Sequence, residues 1–222
     1  MGYSGVIALD PGIRTFMTGY DPSGLTVKWG NGDVERIYRL CFIHDMIQGR
    51  RDVIRGKKHK HKRYKLRKVM LRIHKKIRCI VDECHRKLAK WLCENYRVVL
   101  LPEFKTQGMT RRGQRRIHSK TARAMCTWSH YRFRQHLLHK AREHPWCHVI
   151  LCSEEYTSKT CGCCGNIHDR LGGSKVFRCP LSTCKVEVDR DFNGAGNIFL
   201  RYLTILHERK RKQDPDNTGD GA

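Results

Sequence analysis

The chain has 222 residues, 45 Lys and Arg against 21 Asp and Glu, and a formal net charge of +24. At 39% hydrophobic, with 4 Trp, 7 Phe and 8 Tyr, it carries enough apolar mass for one folded domain with a small insert, which excludes a wholly disordered polybasic chain. No apolar run approaches the ~18 residues that cross a bilayer, no secretory leader is recognisable, and Val6 stands where an N-myristoylation pattern needs Ser or Thr. The expectation is an intracellular protein with no membrane partner, whose natural counter-ion is a polyanion. Twelve Cys without a secretory leader point to reduced thiols and metal ligation rather than a disulfide framework.

In chain order, Val6-Ile-Ala-Leu-Asp10 is an apolar run ending in an acid, and Pro11-Gly12 turns the chain. Phe16–Tyr20 and Leu25–Trp29 flank the turn sequence Asp21-Pro-Ser-Gly24, so three strands in an antiparallel meander are predicted. A first helix runs from Val34 to about Met46. Residues 50–76 then hold 14 Lys or Arg and one acid, Asp52. That density of like charge repels itself unless a polyanion neutralises it. Leu66, Met70, Ile73, Ile77, Ile80, Cys84, Leu88 and Trp91 follow one another in steps of three or four, which predicts a long helix with one apolar stripe and Cys84 as core filler.

Arg97-Val-Val-Leu-Leu101 reads as a short buried strand closed by Pro102-Glu103. Residues 105–142 carry 11 Lys or Arg and no acid. Gly108 and Gly113 mark a flexible loop there, and 119–142 form a helix with Ala124, Trp128, Tyr131 and Leu138 on one side. Trp128, an aromatic at helical spacing, belongs to the core rather than to a base-stacking surface. His148–Cys152 is another apolar strand, 153–190 are rich in turns and Cys, and Phe192–Leu206 form a last helix with Ile198, Leu203 and Leu206 apolar. The tail from Glu208 has no pattern and is expected to be disordered. Three strands in a meander, then helix, strand, helix, strand, helix, is the layout of an RNase H-like α/β domain with a mixed five-stranded sheet and flanking helices.

Two constellations carry chemistry. Cys161-Gly-Cys-Cys164 and Cys179-Pro-Leu-Ser-Thr-Cys184 supply two knuckles, and Cys161, Cys164, Cys179 and Cys184 suit a tetrahedral Zn²⁺ with all four positions filled, hence structural. Cys163 is left out because neighbouring residues rarely reach one ion, and His168 is superfluous beside four thiols. So small an element depends on its metal, which contributes ~10–16 kcal/mol in comparable zinc peptides. The second constellation is acidic. Asp10 ends the first strand, Glu103 ends the fourth and Asp191 opens the last helix, where such a sheet would gather them. Asp189, Glu154 and Glu155 lie close by and are alternatives. Carboxylates so gathered attract Mg²⁺ or Mn²⁺, and a pair of such ions serves phosphodiester hydrolysis.

The segments Ala8–Gly12, Thr121–Arg134, Glu155–Gly165 and Asp189–Ile198 resemble the RuvC nuclease half of TnpB-type transposon proteins, most closely their eukaryotic relatives, the Fanzors. By motif position Asp10 corresponds to the first catalytic acid and Asp191 to the third. The resemblance implies a metal-dependent, RNA-guided DNA endonuclease with target DNA and a guide RNA as partners, acting in the nucleus of a eukaryote or otherwise in the cytoplasm or nucleoid. It divides the chain into an RNase H-like (RuvC) core over 1–152, an inserted zinc ribbon of target-nucleic-acid-binding type over 153–188, the third motif with its closing helix over 189–207, and a tail over 208–222. The family's N-terminal half has no counterpart here, so a truncated form holding the nuclease half alone is expected. In bacterial relatives the second Glu falls where Pro102 stands, and in Fanzors it is rearranged to a site further along. Glu103 is therefore the first assignment and Glu155 the second. Lys57, Lys58, Arg111, Arg112, Arg115 and Arg116 are the expected phosphate contacts, which position a nucleic acid without reading bases. The alternative function is a nucleic-acid-binding remnant that regulates without cutting.

Overall fold

A computed structural model describes residues 4–213 apart from residues 105, 112, 114, 116 and 154. Five strands, β1 (Ser4–Pro11), β2 (Met17–Tyr20), β3 (Thr26–Trp29), β4 (Tyr96–Pro102) and β5 (His148–Cys152), form one sheet in the order β3-β2-β1-β4-β5. The first three pair antiparallel as the expected meander, with Asp10 opposite Thr18. β4 lies parallel to β1, with Ala8 opposite Leu100, and β5 lies parallel to β4, with Pro102 opposite Cys152.

Parallel neighbours require crossovers, and helices supply them. α1 (Asn31–Val53), a 3₁₀ turn at Lys57–His59 and α2 (Lys60–Asn95) carry the chain from β3 to β4. α3 (Thr106–Thr110), α4 (Ser119–Trp128) and α5 (His130–Ala141) carry it from β4 to β5. A two-stranded ribbon of β6 (Val176–Arg178) and β7 (Glu187–Asp189) then leads into α6 (Arg190–Gln213).

Helices cover both faces of the sheet, which explains why β1 and β4 read as unbroken apolar runs. Side chains alternate along a strand, so odd and even positions part company. Ile7, Leu9, Val99 and Leu101 join the large core with Val81, Leu88 and Leu92 of α2 and Phe133 and Leu137 of α5. Ala8 and Leu100 face the other way, onto Ile198 of α6, with Val6, Val98, Ile150 and Cys152 around them. Phe16, fully buried, is the hub of the larger core. Its ring stacks on His85 at 4.8 Å and on His130 at 5.0 Å, tilts against Trp128 at 4.8 Å and meets Phe133 edge-on at 5.2 Å.

Several expectations need correction. The predicted helix over 119–142 is broken at Ser129, whose φ of 50° is left-handed and ends α4 before α5 begins. The break resets the helical phase: His130, Phe133 and Leu137 turn inward, and Tyr131 is exposed instead of packing. The last helix extends through Gln213, so residues 208–213 are ordered helix and not part of a disordered tail, and Leu203 on it is exposed. α1 is longer than predicted at both ends, and Thr106–Thr110 inside the predicted loop form a short helix.

His130 makes a pH signature. Its Nε2 donates to the Gly12 carbonyl at 3.1 Å, and burial pulls its pKa down to about 4 although that hydrogen bond opposes the shift. The folded ring stays neutral where the unfolded ring, near 6.5, takes up a proton, so its contribution is complete above about 6.5 and is lost as pH falls towards about 4. The urea midpoint of the wild-type chain should fall through that window, and His130→Asn should show a shallower fall. Parallel curves for the two proteins would contradict the assignment.

Candidate functional site

Asp10 continues the even positions of β1, so the alternation that points Ala8 at α6 points Asp10 there too. The contact is close. A Cβ added to Gly194 would come within 2.7 Å of Asp10 Oδ2, so α6 passes the carboxylate closely enough that any larger residue there would push it aside. Asp191 lies one helical turn before Gly194, on the same side of the helix. Asp10 and Asp191 line one cavity of about 400 Å³ with Gly12, Arg14, Phe104, Ser158, Lys175 and Arg190. Two carboxylates thus share a depression bordered by three cationic side chains, an arrangement that can take a divalent ion within and phosphates at the rim.

The helix start is built to hold this position. Asp189 caps it: Oδ1 accepts from the backbone N–H of Asp191 at 2.9 Å and of Phe192 at 3.4 Å. Its Oδ2 takes Lys28 Nζ at 2.6 Å. Burial works against the charge of Asp189, but Lys28 and the two N–H groups prevail and lower its pKa. Asp189 is thereby committed to the cap and to Lys28.

The remaining acids part from the pair. Glu103 follows the odd positions of β4, Val99 and Leu101, and lines a different cavity of about 620 Å³ with Thr106, His130, Tyr131 and Arg134. The two cavities share Pro11 and Phe104 at their margins. Glu155 is exposed and pairs through Oε2 with Arg201 Nη2 at 3.3 Å, beside a third cavity. Glu154 lies outside the described residues.

The cysteine site assembles as expected. Cys161, Cys164, Cys179 and Cys184 bring their sulfurs within 4.8 Å of one another. Cys161 Sγ lies 3.8 Å from Cys184 Sγ, and Cys164 Sγ lies 3.6 Å from Cys179 Sγ. A tetrahedron with sulfurs ~2.3 Å from zinc has edges of ~3.8 Å, so the four thiols fit Zn²⁺. Burial works against ionisation of Cys161, but the backbone N–H groups of Cys164 and Cys163 outweigh it and lower its pKa, whereas burial pushes the Cys179 thiol up. Cys163 is exposed and outside the cluster, and His168 packs its ring on Phe177 at 6.1 Å.

Sequence reasoning missed how this element is fastened to α6. Asn193 Nδ2 donates to the Thr160 carbonyl at 2.8 Å, and its Oδ1 accepts from Gly162 N–H at 3.0 Å. Asn197 Nδ2 donates to the carbonyls of Thr157 at 2.9 Å and Thr160 at 2.6 Å. The signal was present as two buried Asn at i and i+4 on the helix that carries Asp191.

Of the basic residues, Lys57 and Lys58 sit exposed on the 3₁₀ turn before α2. Arg111 is exposed, and Arg115 reaches Ser119 Oγ at 2.6 Å. Arg112 and Arg116 lie outside the described residues.

Residues 130–198 match the Cas12f1-like TNB domain family. Over 204 residues the chain is 34% identical to the putative transposase A625R of Paramecium bursaria Chlorella virus 1, an overlap of 90% of this chain and 44% of that protein. Over 210 residues it is 26% identical to the TnpB-like protein L79 of Acanthamoeba polyphaga mimivirus, covering 91% of this chain and 38% of the relative. Over nearly its whole length the chain is similar to TnpB-type proteins. It spans less than half the length of these curated relatives. Its fold resembles that of Cas12f in a CRISPR-Cas12f ternary complex, with a TM-score of 0.62 at 14% identity over 86% of this chain and 38% of the other. It also resembles Cas12f1 in a complex with sgRNA and target DNA, with a TM-score of 0.56 at 15% identity over 86% and 48%. The stretch matched by the TNB family contains α5, β5, all four clustered Cys and the start of α6 with Asp191.

Cys184→Ser should release zinc to a chelator at lower concentration than the wild-type chain and expose Phe177 of the ribbon, whereas Cys163→Ser should hold its zinc like the wild type. Zinc release followed with a colorimetric chelator reads both, and equal release from both variants would remove the four-thiol assignment.

Proposed function

We propose that this chain is the nuclease part of an RNA-guided, metal-dependent DNA endonuclease of the TnpB type, with a RuvC-like core over 1–152 and 189–207 and a zinc ribbon over 153–188. The observation that carries the reading is the seating of Asp10 on Gly194, in one cavity with Asp191 and under a rim of Arg14, Lys175 and Arg190. Asp10 and Asp191 would hold Mg²⁺ or Mn²⁺. A bound ion of this kind supplies an activated water and neutralises charge on the leaving oxygen. The chain's own groups do the positioning. The strand end fixes Asp10, the capped helix start fixes Asp191, and the three cations draw in the phosphate backbone from the side of the ribbon.

The parity of β4, which turns Glu103 towards α5, supports the rearranged second acid that the Fanzor resemblance implies. Glu154 and Glu155 follow β5 and stand as candidates beside Glu103, with Glu155 held by Arg201 in the present arrangement.

Asp10→Ala or Asp191→Ala should cut the rate of Mn²⁺-dependent DNA cleavage by at least ~10²-fold, since ion-mediated stabilisation is worth several kcal/mol and each ~1.4 kcal/mol is tenfold. DNA affinity should stay near the wild-type value. Gly194→Ala should weaken Mn²⁺ binding, because its new methyl displaces the Asp10 carboxylate. Among Glu103→Gln, Glu154→Gln and Glu155→Gln, one should match the loss seen with Asp10→Ala. Wild-type rates in both Asp10→Ala and Asp191→Ala would refute the nuclease reading.

A second reading, a nucleic-acid-binding remnant that regulates without cutting, is favoured by one observation: Glu103 and Glu155 line cavities other than that of Asp10 and Asp191. It is recognised by salt-dependent DNA binding with no Mn²⁺-dependent cleavage in the wild-type chain.

Both readings need the basic surface. Replacing Lys57, Lys58, Arg111 and Arg115 with Gln should lower affinity and flatten the plot of log K against log salt by ~0.9 for each B-DNA phosphate left unneutralised. An unchanged slope would place the phosphate-binding residues elsewhere.

A further inference from the structure

Asp82, His85 and His136 bring one ligand atom each within 4.8 Å of one another. Asp82 and His85 stand one turn apart on α2, so they share a face, and His136 comes from α5 across the helix pair. The two imidazoles approach with ring centroids 6.1 Å apart.

His85 is the telling member. It is fully buried, and its Nε2 lies 2.9 Å from the carbonyl oxygen of Trp128. A carbonyl oxygen can only accept, so Nε2 carries the hydrogen and Nδ1 presents its lone pair. That Nδ1 is buried and has no hydrogen-bond partner among the described residues. A sequestered acceptor with nothing to accept from is costly to a folded chain, and such sites call for an explanation.

We propose that Asp82, His85 and His136 form a second metal site, distinct from the four Cys, which takes a divalent first-row transition ion such as Zn²⁺. Two imidazole nitrogens and one carboxylate suit zinc and its neighbours, whereas Mg²⁺ prefers oxygen alone. The surroundings match those of a built site. The Trp128 carbonyl fixes the tautomer and orientation of His85, as the outer partner of a ligating histidine does. Arg132 Nη2 holds Asp82 Oδ1 at 2.6 Å and orients the carboxylate, whose second oxygen serves the ion. His136 is exposed, which gives an ion its entry from solvent and leaves room for water as a further ligand.

The site would bolt α5 to α2. α5 bears Phe133, which packs edge-on to Phe16, and His130, which donates to Gly12 two residues beyond Asp10. An ion there steadies the helix on which the loop after Asp10 rests. The inference depends on the helix pair alone and stands or falls independently of the nuclease reading.

The test is a Co²⁺ titration of the full chain after metal removal, for wild type, His136→Gln and Asp82→Asn. His136 is exposed, so its variant retains the fold, which circular dichroism verifies. Cobalt bound by thiolates shows an intense sulfur-to-metal charge-transfer band that an N/O site lacks. The wild-type chain should bind oxygen- and nitrogen-ligated cobalt beyond the sulfur-bound equivalent, and each variant should bind one equivalent fewer with its charge-transfer absorption unchanged. Zn²⁺ should raise the melting temperature of the Cys-loaded wild type and leave that of His136→Gln unmoved. Wild-type stoichiometry in both variants, or a single sulfur-bound equivalent in the wild type, would overturn the proposal. Loss of the charge-transfer band with the second equivalent retained would remove the four-Cys site and leave this one standing.

Discussion

The molecule is organised by the alternation of side chains in two adjacent parallel strands whose faces are both covered. Even positions of β1 point to α6, so Val6 and Ala8 pack against that helix and Asp10, the next in phase, meets it as well. A slip of one residue in β1 would bury an acid beneath α5 and present Leu9 to the cavity. The apolar residues therefore do more than stabilise the sheet. By filling both layers they lock the register that delivers a carboxylate to the one turn of α6 where a glycine makes room for it.

The second requirement is that α6 itself be held in register. Its first turn is fixed by the Asp189 cap and the Lys28 ion pair, and its next two turns by Asn193 and Asn197, whose amides grip the backbone between Thr157 and Gly162. That backbone leads into the first Cys knuckle. The zinc-suited element is thus joined to the helix of Asp191 through two side chains that reach buried carbonyls, and the geometry of the acid pair depends on it.

Most of this was legible in the sequence where the signal is periodic or steric. The apolar steps of three and four from Leu66 to Trp91 lie on one continuous helix, with Cys84 buried in its stripe as core. Trp128 is likewise core, its indole N–H spent on the Ile13 carbonyl. The four Cys followed from spacing alone. Features set by long-range fit were not legible. Nothing in the sequence announces that Ser129 adopts a left-handed conformation and shifts the inward face from Tyr131 to Phe133, because that choice is made by packing on Phe16. The strand continues through Pro102, and Glu103 beyond it lines the cavity on the α5 side.

Charge gives the last step. Among the described acids of this strongly basic chain, Asp45 pairs with Arg123 and Asp189 with Lys28. Asp10 and Asp191 share a cavity whose cationic rim is tied to the Cys-rich element. Arg14 Nη2 donates to the Gly173 carbonyl at 3.2 Å, Arg190 Nη1 to the Gly172 carbonyl at 2.8 Å, and Arg190 N–H to the Lys175 carbonyl at 2.8 Å. These bonds draw the Gly172-Gly173 turn over the acids and hold two of the three cations in place. Cations beside carboxylates suit the proposed site, with phosphates at its rim and a metal ion within, and the turn that holds these cations lies between the two Cys knuckles. The Cys-rich insert thus borders the acid pair, lying next to Asp191 along the chain and most of its length away from Asp10.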